Sequence, residues 1–431
     1  MKRFRGCSLR GALAAAAALL LAACAVEANG EAAYPRFSLV GTPRREVRYE
    51  YSISASDMRP ITGRVSSNDR TLIVEVPAGR DRRIEFKAID DVYSGAATVD
   101  LRPGTRTSVA IRLHPGPVFA DYRGGRLAQF RDVGGIGLRT VEAEDAGVSP
   151  FRPVDAEYDG VNGLWVVSNG GEGTAGLFRV TDLSPRNKAV FIEDGRTPLQ
   201  PTAVAVDSLA RRVYVATIGN DAAVHSVHLE DRSLDGQIVE LGNLDLGLGV
   251  PVVSGMTVDG FGRLHLLIYD NDGQGQVALV TIDGEEGRLL AGPVYLRNAS
   301  VPLYSSRAPA AHPIGDVKAV GDELLVVTSA VPAGSPVVFR YDTNLRLRES
   351  WGMKGDADST RPAVFRGPRR FVATREADPL LLIDQPDSDS ETPEPGRIVA
   401  FRFGTTGEWA TYEERGGPAL FDTRVDTAPP E

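Results

Sequence analysis

The sequence predicts an all-β protein, a small β-sandwich followed by a six-bladed β-propeller. Two observations carry that prediction. A segment near the N-terminus breaks into seven short runs of β-branched and aromatic residues between turn signals. Most of the remaining chain repeats with a period near fifty residues, the size of one propeller blade. The 46 Gly and 28 Pro among 431 residues agree, since many short strands need many turns.

The seven runs fall within 34–115: Arg36–Val40, Val47–Ser54, Ile61–Ser66, Thr71–Val76, Arg83–Ile89, Ala96–Leu101 and Ser108–Leu113. Alternation of apolar and polar residues is clearest in Leu72-Ile73-Val74-Glu75-Val76 and Ile84-Glu85-Phe86-Lys87-Ala88. Pro77-Ala78-Gly79 and Arg102-Pro103-Gly104 supply turns. So many strands in so short a span predict a sandwich of immunoglobulin or transthyretin type. Its pattern resembles the spacer domains that follow the tether in bacterial surface lipoproteins.

Within 116–425 the clearest copies of the repeat run Val204–Glu230 and Met256–Asp283, with weaker ones opening at Asp155, Val317 and Phe371 and a truncated one at Val118. Each has an apolar strand, a turn with an acid and an Arg, a second apolar strand, a polar loop and a third strand. Markers at Val118, Leu164, Val213, Leu264, Leu324 and Leu380 stand 46, 49, 51, 60 and 56 residues apart, which gives six blades. The first copy shows no innermost strand. Ring closure is therefore expected from a C-terminal segment, Trp409–Glu413 or Leu420–Val425, which would protect the open sheet edges. Trp165, Trp351 and Trp409 read as blade-packing residues, and 426–431 as a disordered tail. The V-x-V-D…G-x-[LV]-x-V segment resembles the NHL-repeat and gluconolactonase-type (senescence-marker) propellers.

The first 33 residues read as an address. Lys2, Arg3, Arg5 and Arg10 precede the short apolar stretch Gly11–Ala23, as in a secretory signal peptide. Leu21-Ala22-Ala23-Cys24 resembles the lipobox of bacterial lipoproteins. The resemblance implies cleavage after residue 23, a diacylglycerol thioether on Cys24, further acylation such as palmitate, and passage to an outer membrane, because Ala25 follows the Cys. Two or three acyl chains make such an anchor effectively permanent. Residues 24–33 form the tether. With Cys7 removed and Cys24 acylated, the folded part holds no thiol, so its core must stabilise it without disulfides.

The chemistry on offer is sparse. There are 57 acidic and 48 basic side chains, which argues against a nucleic-acid-binding surface, and two Cys with five scattered His exclude zinc-finger and disulfide-rich classes. No G-x-S-x-G, H-E-x-x-H, C-x-x-C or P-loop occurs. His225 and His228 stand three apart on one strand and face opposite ways, so they make no two-His metal site. His265 alternates with apolar neighbours, while His114 and His312 lie near Pro. Asp207 and Asp259 recur at one turn position, where a carboxylate accepts backbone N–H bonds and Arg212 or Arg263 finds a neighbour to pair with. Loops between second and third strands share one rim of a propeller. Asn169, Asn220, Asp270 and Asp384 lie there, with Glu157 a partner from an inner strand. Converging oxygens of that kind suit Ca²⁺, which takes six to eight ligands. The gluconolactonase resemblance implies a divalent ion in the funnel held by a Glu, Asn and Asp set. The same residue types also dominate hairpin turns for conformational reasons. The acidic run Asp387–Gly396 lacks the glycine turn of a calcium loop.

Without a catalytic set, the leading expectation is a lipid-anchored envelope protein. Its propeller binds a protein or small-molecule partner, and it needs no cofactor. A metal-dependent lactonase or esterase-like hydrolase with its site in the funnel is the alternative. A purely structural envelope component is the second.

Overall fold

The computed structural model describes residues 32–415 except positions 42–45, 70, 90, 122–124, 130–138, 143–148, 161–162, 170–174, 182–199, 219–221, 230–233, 272–275, 297–313, 356–363, 366, 375–379, 385–396 and 404–408. Cys24, Asn220, His312, the Asp387–Gly396 run and the Leu420–Val425 segment lie outside the described residues. The chain divides into two compact units, Met1–Pro115 and Gly116–Glu431. Among the described residues no helix is long and apolar enough to cross a membrane.

The first unit is a two-sheet sandwich. One sheet has five strands, in the order His114–Pro115, Tyr93–Leu101, Gly79–Ala88, Arg48–Ala55 and Met58–Ser66. The other has three, with Arg36–Val40 between Leu72–Ile73 and a parallel partner, Ser108–Arg112. Alternation sends Phe37, Tyr49, Ile53, Ile84, Phe86, Val109 and Ile111 into one core. The edge of Phe37 meets the ring of Phe86 at 6.2 Å, an arrangement aromatic quadrupoles favour.

The second unit is a ring of six antiparallel sheets, a β-propeller. From the centre outward, blade one is Val118–Asp121, Arg126–Gln129, Arg139–Val141; blade two is Pro153–Tyr158, Gly163–Ser168, Gly176–Thr181. Blade three is Pro201–Asp207, Arg212–Thr217, Ala223–His228, Leu234–Glu240. Blade four is Pro251–Val258, Arg263–Asp270, Val277–Asp283, Leu289–Tyr295, and blade five is Gly315–Val320, Glu323–Thr328, Val338–Asp342, Leu347–Trp351. Blade six is Pro368–Phe371, Leu380–Asp384, Arg397–Phe403, Trp409–Arg415. The second strands read as near-continuous apolar runs because both faces of each blade are covered by neighbours. Trp165, for example, is fully buried where blades two and three meet, among Val204, Val213 and Val215.

Two expectations need correction. The first copy does have an innermost strand: Val118–Asp121 pairs antiparallel with Arg126–Gln129. Four residues are too few to show periodicity. Trp409–Arg415 does not close the ring; it is the outermost strand of blade six. Closure instead runs through Val118, whose N–H donates to the Ala373 carbonyl at 3.0 Å, backed by an apolar wedge of Phe119, Ala128, Val372, Leu381 and Ile383.

Phe119 is 2% exposed at this seam. Phe119→Ala is expected to cost about 3–5 kcal/mol, as for other buried aromatic truncations. Denaturant unfolding followed by intrinsic fluorescence measures it; a loss below about 1 kcal/mol would place the seam elsewhere.

Candidate functional site

Asp270 and Asp384 each end the second strand of their blade, and both are buried. Asp270 Oδ1 accepts the Val250 N–H at 3.0 Å, and Asp384 Oδ1 accepts that of Gly367 at 2.7 Å. Other blades repeat this contact with other side chains. Ser168 accepts from Arg152 N, Thr328 donates to Ile314 O, and Gln129 donates to Gly116 O. In each case the last residue of the second strand ties down the chain just before the innermost one. That is a backbone duty, required because a buried N–H or C=O without a partner costs about 1–3 kcal/mol. Asn169 lies one residue past Ser168, half-buried, with its backbone N–H on the Arg152 carbonyl.

Glu157 is elsewhere, on the innermost strand of blade two. It belongs to a charged group that sequence reasoning missed: Asp155 and Glu157 of blade two, Asp316 and Lys318 of blade five, and Arg370 of blade six. Each pair stands two apart on its strand and so faces one way. Strand register puts Asp155, Ala203, Gly255, Asp316 and Arg370 at one level of the ring, and Glu157, Ala205, Thr257 and Lys318 at the next. Small residues in blades three and four give the charged ones room. A Cβ at Gly255 would lie 2.1 Å from Asp316 Oδ1.

These groups bond across the channel. Lys318 Nζ meets both Glu157 oxygens at 2.6 Å, joining blades that stand opposite in the ring. Arg370 pairs with Asp155 at 3.1 Å and donates to the Thr202 carbonyl at 2.6 Å, on the blade opposite its own. The acids also latch neighbouring blades. Asp155 Oδ2 accepts Val204 N at 3.0 Å, and Asp316 Oδ2 accepts Phe371 N at 2.9 Å. Their other oxygens take the N–H of the following residue, Ala156 or Val317. Neither Arg370 Nε nor Nη1 makes a hydrogen bond among the described residues, so the Nη1 contact with Asp155 is an ion pair only.

Burial sets the electrostatics. It pushes the Asp316 carboxyl up to about 7; the charge of Asp155 adds to the shift and Arg370 opposes it. Asp155 and Glu157 are raised for the same first reason, against the pull of Arg370 and Lys318 respectively. Burial alone would lower Lys318, but the charge and hydrogen bond of Glu157 outweigh it, and the ammonium is held above its usual range. Among the described residues no three His, Cys, Asp or Glu side chains converge as metal ligands.

The turn acids behave as the repeat implied. Asp207 Oδ1 accepts Leu209 N and Ala210 N, and Asp259 Oδ1 accepts Phe261 N and Arg263 N. Asp259 Oδ2 takes Arg263 Nε at 2.7 Å and lies 3.1 Å from His265 Nε2, whose Nδ1 is 2.9 Å from Thr281 Oγ1. Burial alone would raise the Asp259 pKa; the bonds from His265 and Arg263 outweigh it and hold the carboxyl well below the usual range. This hydroxyl–imidazole–carboxylate chain has the order of a nucleophile relay, but His265 is 0% exposed and Thr281 1%. No substrate reaches it. It pins three strands of blade four together.

No protein-family model matches the chain, and no curated protein matches it in sequence. Among solved structures, a protein of unknown function from Bacteroides caccae is similar at 9% identity and a TM-score of 0.45, covering 72% of this chain and 97% of its own. YCF48 bound to D1 peptide aligns at 13% identity and TM-score 0.33, over 61% of this chain and 66% of that one. A luciferin-regenerating enzyme gives 14% and 0.34, over 65% and 92%. Similarity at this level carries no information about activity.

The Asp316 shift has a defined sign. Its folded pKa of about 7 lies above the 3.8 of an ordinary aspartate, so the stability it contributes is present at low pH and is lost as pH rises from about 4 to about 7. Asp316→Asn is expected to melt higher relative to wild type at pH 8 than at pH 5. Equal differences at the two pH values would show that Asp316 ionises freely in the folded ring.

Proposed function

We propose that this protein is exported, lipid-anchored through Cys24 and held at the bacterial envelope, the outer membrane favoured, where its propeller serves as a rigid binding scaffold for a protein or small-molecule partner. One observation supports a scaffold over a catalyst: every acid described in the channel is spent on an ion pair or a backbone N–H. A hydrolase of the gluconolactonase type needs carboxylate and amide oxygens free to converge on a divalent ion. Here Glu157 faces Lys318, and Asp270 and Asp384 hold backbone amides. Rigidity favours binding, because loops on a fixed frame lose little entropy when a partner docks. The charged start, short apolar stretch and Leu21-Ala22-Ala23-Cys24 support the address.

Ligand present at a hundredfold excess over Kd stabilises the folded state by about 2.7 kcal/mol. Millimolar Ca²⁺ and chelator are therefore expected to give the same melt by calorimetry; a higher melt with Ca²⁺, abolished in Asn220→Ala or Asp270→Ala, would favour the hydrolase. Cys24→Ser is expected to release the protein from washed membranes at high salt, which screens ion pairs. Retention under that wash would contradict the single lipid anchor.

A further inference from the structure

The three-stranded sheet of the sandwich has an outward face unlike any other in that unit. Arg36 and Val40 lie on its middle strand, with Tyr34 two residues before it; Arg112 ends the parallel neighbour, with Arg106 two residues before that strand. Ile73 stands opposite Arg36 on the other side. Alternation turns all six outward while Phe37, Val109 and Ile111 enter the core. Tyr34, Val40 and Ile73 are 40%, 45% and 57% exposed, so the face is apolar as well as basic. The three arginines form no salt bridge among the described residues, and the paired strands carry no acid on this side. The margin adds one charge of each sign, Arg102 and Glu75.

The outer face of the five-stranded sheet makes the contrast. There Glu85 pairs with both Arg83 and Lys87, and Glu50 stands opposite Arg64 in the register. Acids there lie among the basic side chains, Glu85 along its strand and Glu50 across from Arg64, and offset part of their charge. The whole sandwich segment 34–115 has 14 Lys and Arg against 10 Asp and Glu, while 116–431 has 30 against 45. Only the sandwich has a charge that suits an anionic surface.

We infer that the Tyr34–Val40 and Arg106–Arg112 face of the sandwich rests on the phospholipid bilayer, its arginines at anionic headgroup phosphates and Tyr34, Val40 and Ile73 in the interface. The inference rests on the lipid-anchor reading. Only seven residues separate Cys24 from the first described strand at Ala32. A tether of that length reaches at most about 28 Å and averages about 16 Å when flexible, so an acylated Cys24 confines this sheet near the headgroups. Basic side chains near an anionic membrane each add about fivefold in affinity, and tyrosine suits the interface because its ring is amphipathic. The face then acts as a second, reversible signal that fixes how the anchored protein stands.

The test uses the full mature chain with Cys24→Ser, so that no acyl chain contributes. It is sedimented with phosphatidylcholine vesicles with or without phosphatidylglycerol, at low and high salt. Binding is expected only to the phosphatidylglycerol vesicles and only at low salt. Arg36→Glu with Arg112→Glu is expected to lower it about tenfold or more, and Ile73→Ser to lower it less. Arg83→Glu, on the opposite face, is expected to leave it unchanged. All variants change exposed positions, and equal melts confirm their folding. No binding, binding that ignores lipid charge, or equal losses in Arg83→Glu would overturn the proposal, as would a vesicle-free dimer that Arg36→Glu dissolves. Acylation is read separately, from the mass of the Cys24 peptide in membrane-extracted wild type, so failure of the anchor is distinguishable from failure of the docking face.

Discussion

A propeller must close on itself, and in this protein closure depends on what crosses and lines the centre. Each blade is a small twisted sheet that cannot bury both faces alone. It becomes stable only when its neighbours cover it, so an open ring would expose the flanks of blades one and six. At the seam the described residues give one backbone bond, Val118 to Ala373, and a wedge around Phe119. The centre adds links of another kind. Lys318–Glu157 joins blade five to blade two, and Arg370 reaches from blade six to blades two and three. Ties across a ring resist its opening wherever along the circumference it begins.

Buried ion pairs are costly to make, because desolvating two charges offsets most of their attraction. Removing one partner alone is worse, since it strands the other. What the channel charges add is therefore specificity of assembly. A slipped register in blade two or five would leave Glu157 or Lys318 without its partner. Asp155 and Asp316 strengthen this, each bonding the next blade's innermost strand at a backbone N–H. Committed in this way, each described channel acid holds a backbone N–H or a basic side chain.

How much of this was legible beforehand follows from where the repeat is regular. Blades three and four match the repeat best, and at the channel positions they carry Ala203, Ala205, Gly255 and Thr257. The copies that depart from it, opening at Asp155, Val317 and Phe371, bring the charges. A search for periodicity favours the first kind and discounts the second. Glu157 stands out in the sequence only as a partner for rim oxygens, and nothing local marks Asp155, Asp316 or Lys318. The Glu157–Lys318 partnership is set by a sequence separation of about 160 residues, which no local pattern reports. The rim residues read two ways for the opposite reason. Asp270 and Asp384 have the type and position of calcium ligands, but the same positions hold Ser168, Thr328 and Gln129 in other blades, and that interchange marks a backbone duty. All seven sandwich runs became strands, some of them divided or lengthened, because alternation over an open two-layer core is a local signal.

The central claim is that the channel charges are structural ties, and a double-mutant cycle on Glu157 and Lys318 tests it most directly. The account predicts that Glu157→Gln and Lys318→Met each destabilise the propeller by about 3 kcal/mol, and that the double variant is no less stable than either single, for a coupling of about 3 kcal/mol. Single variants with wild-type stability and no coupling would show that these residues are kept in the channel for some purpose other than holding the ring together.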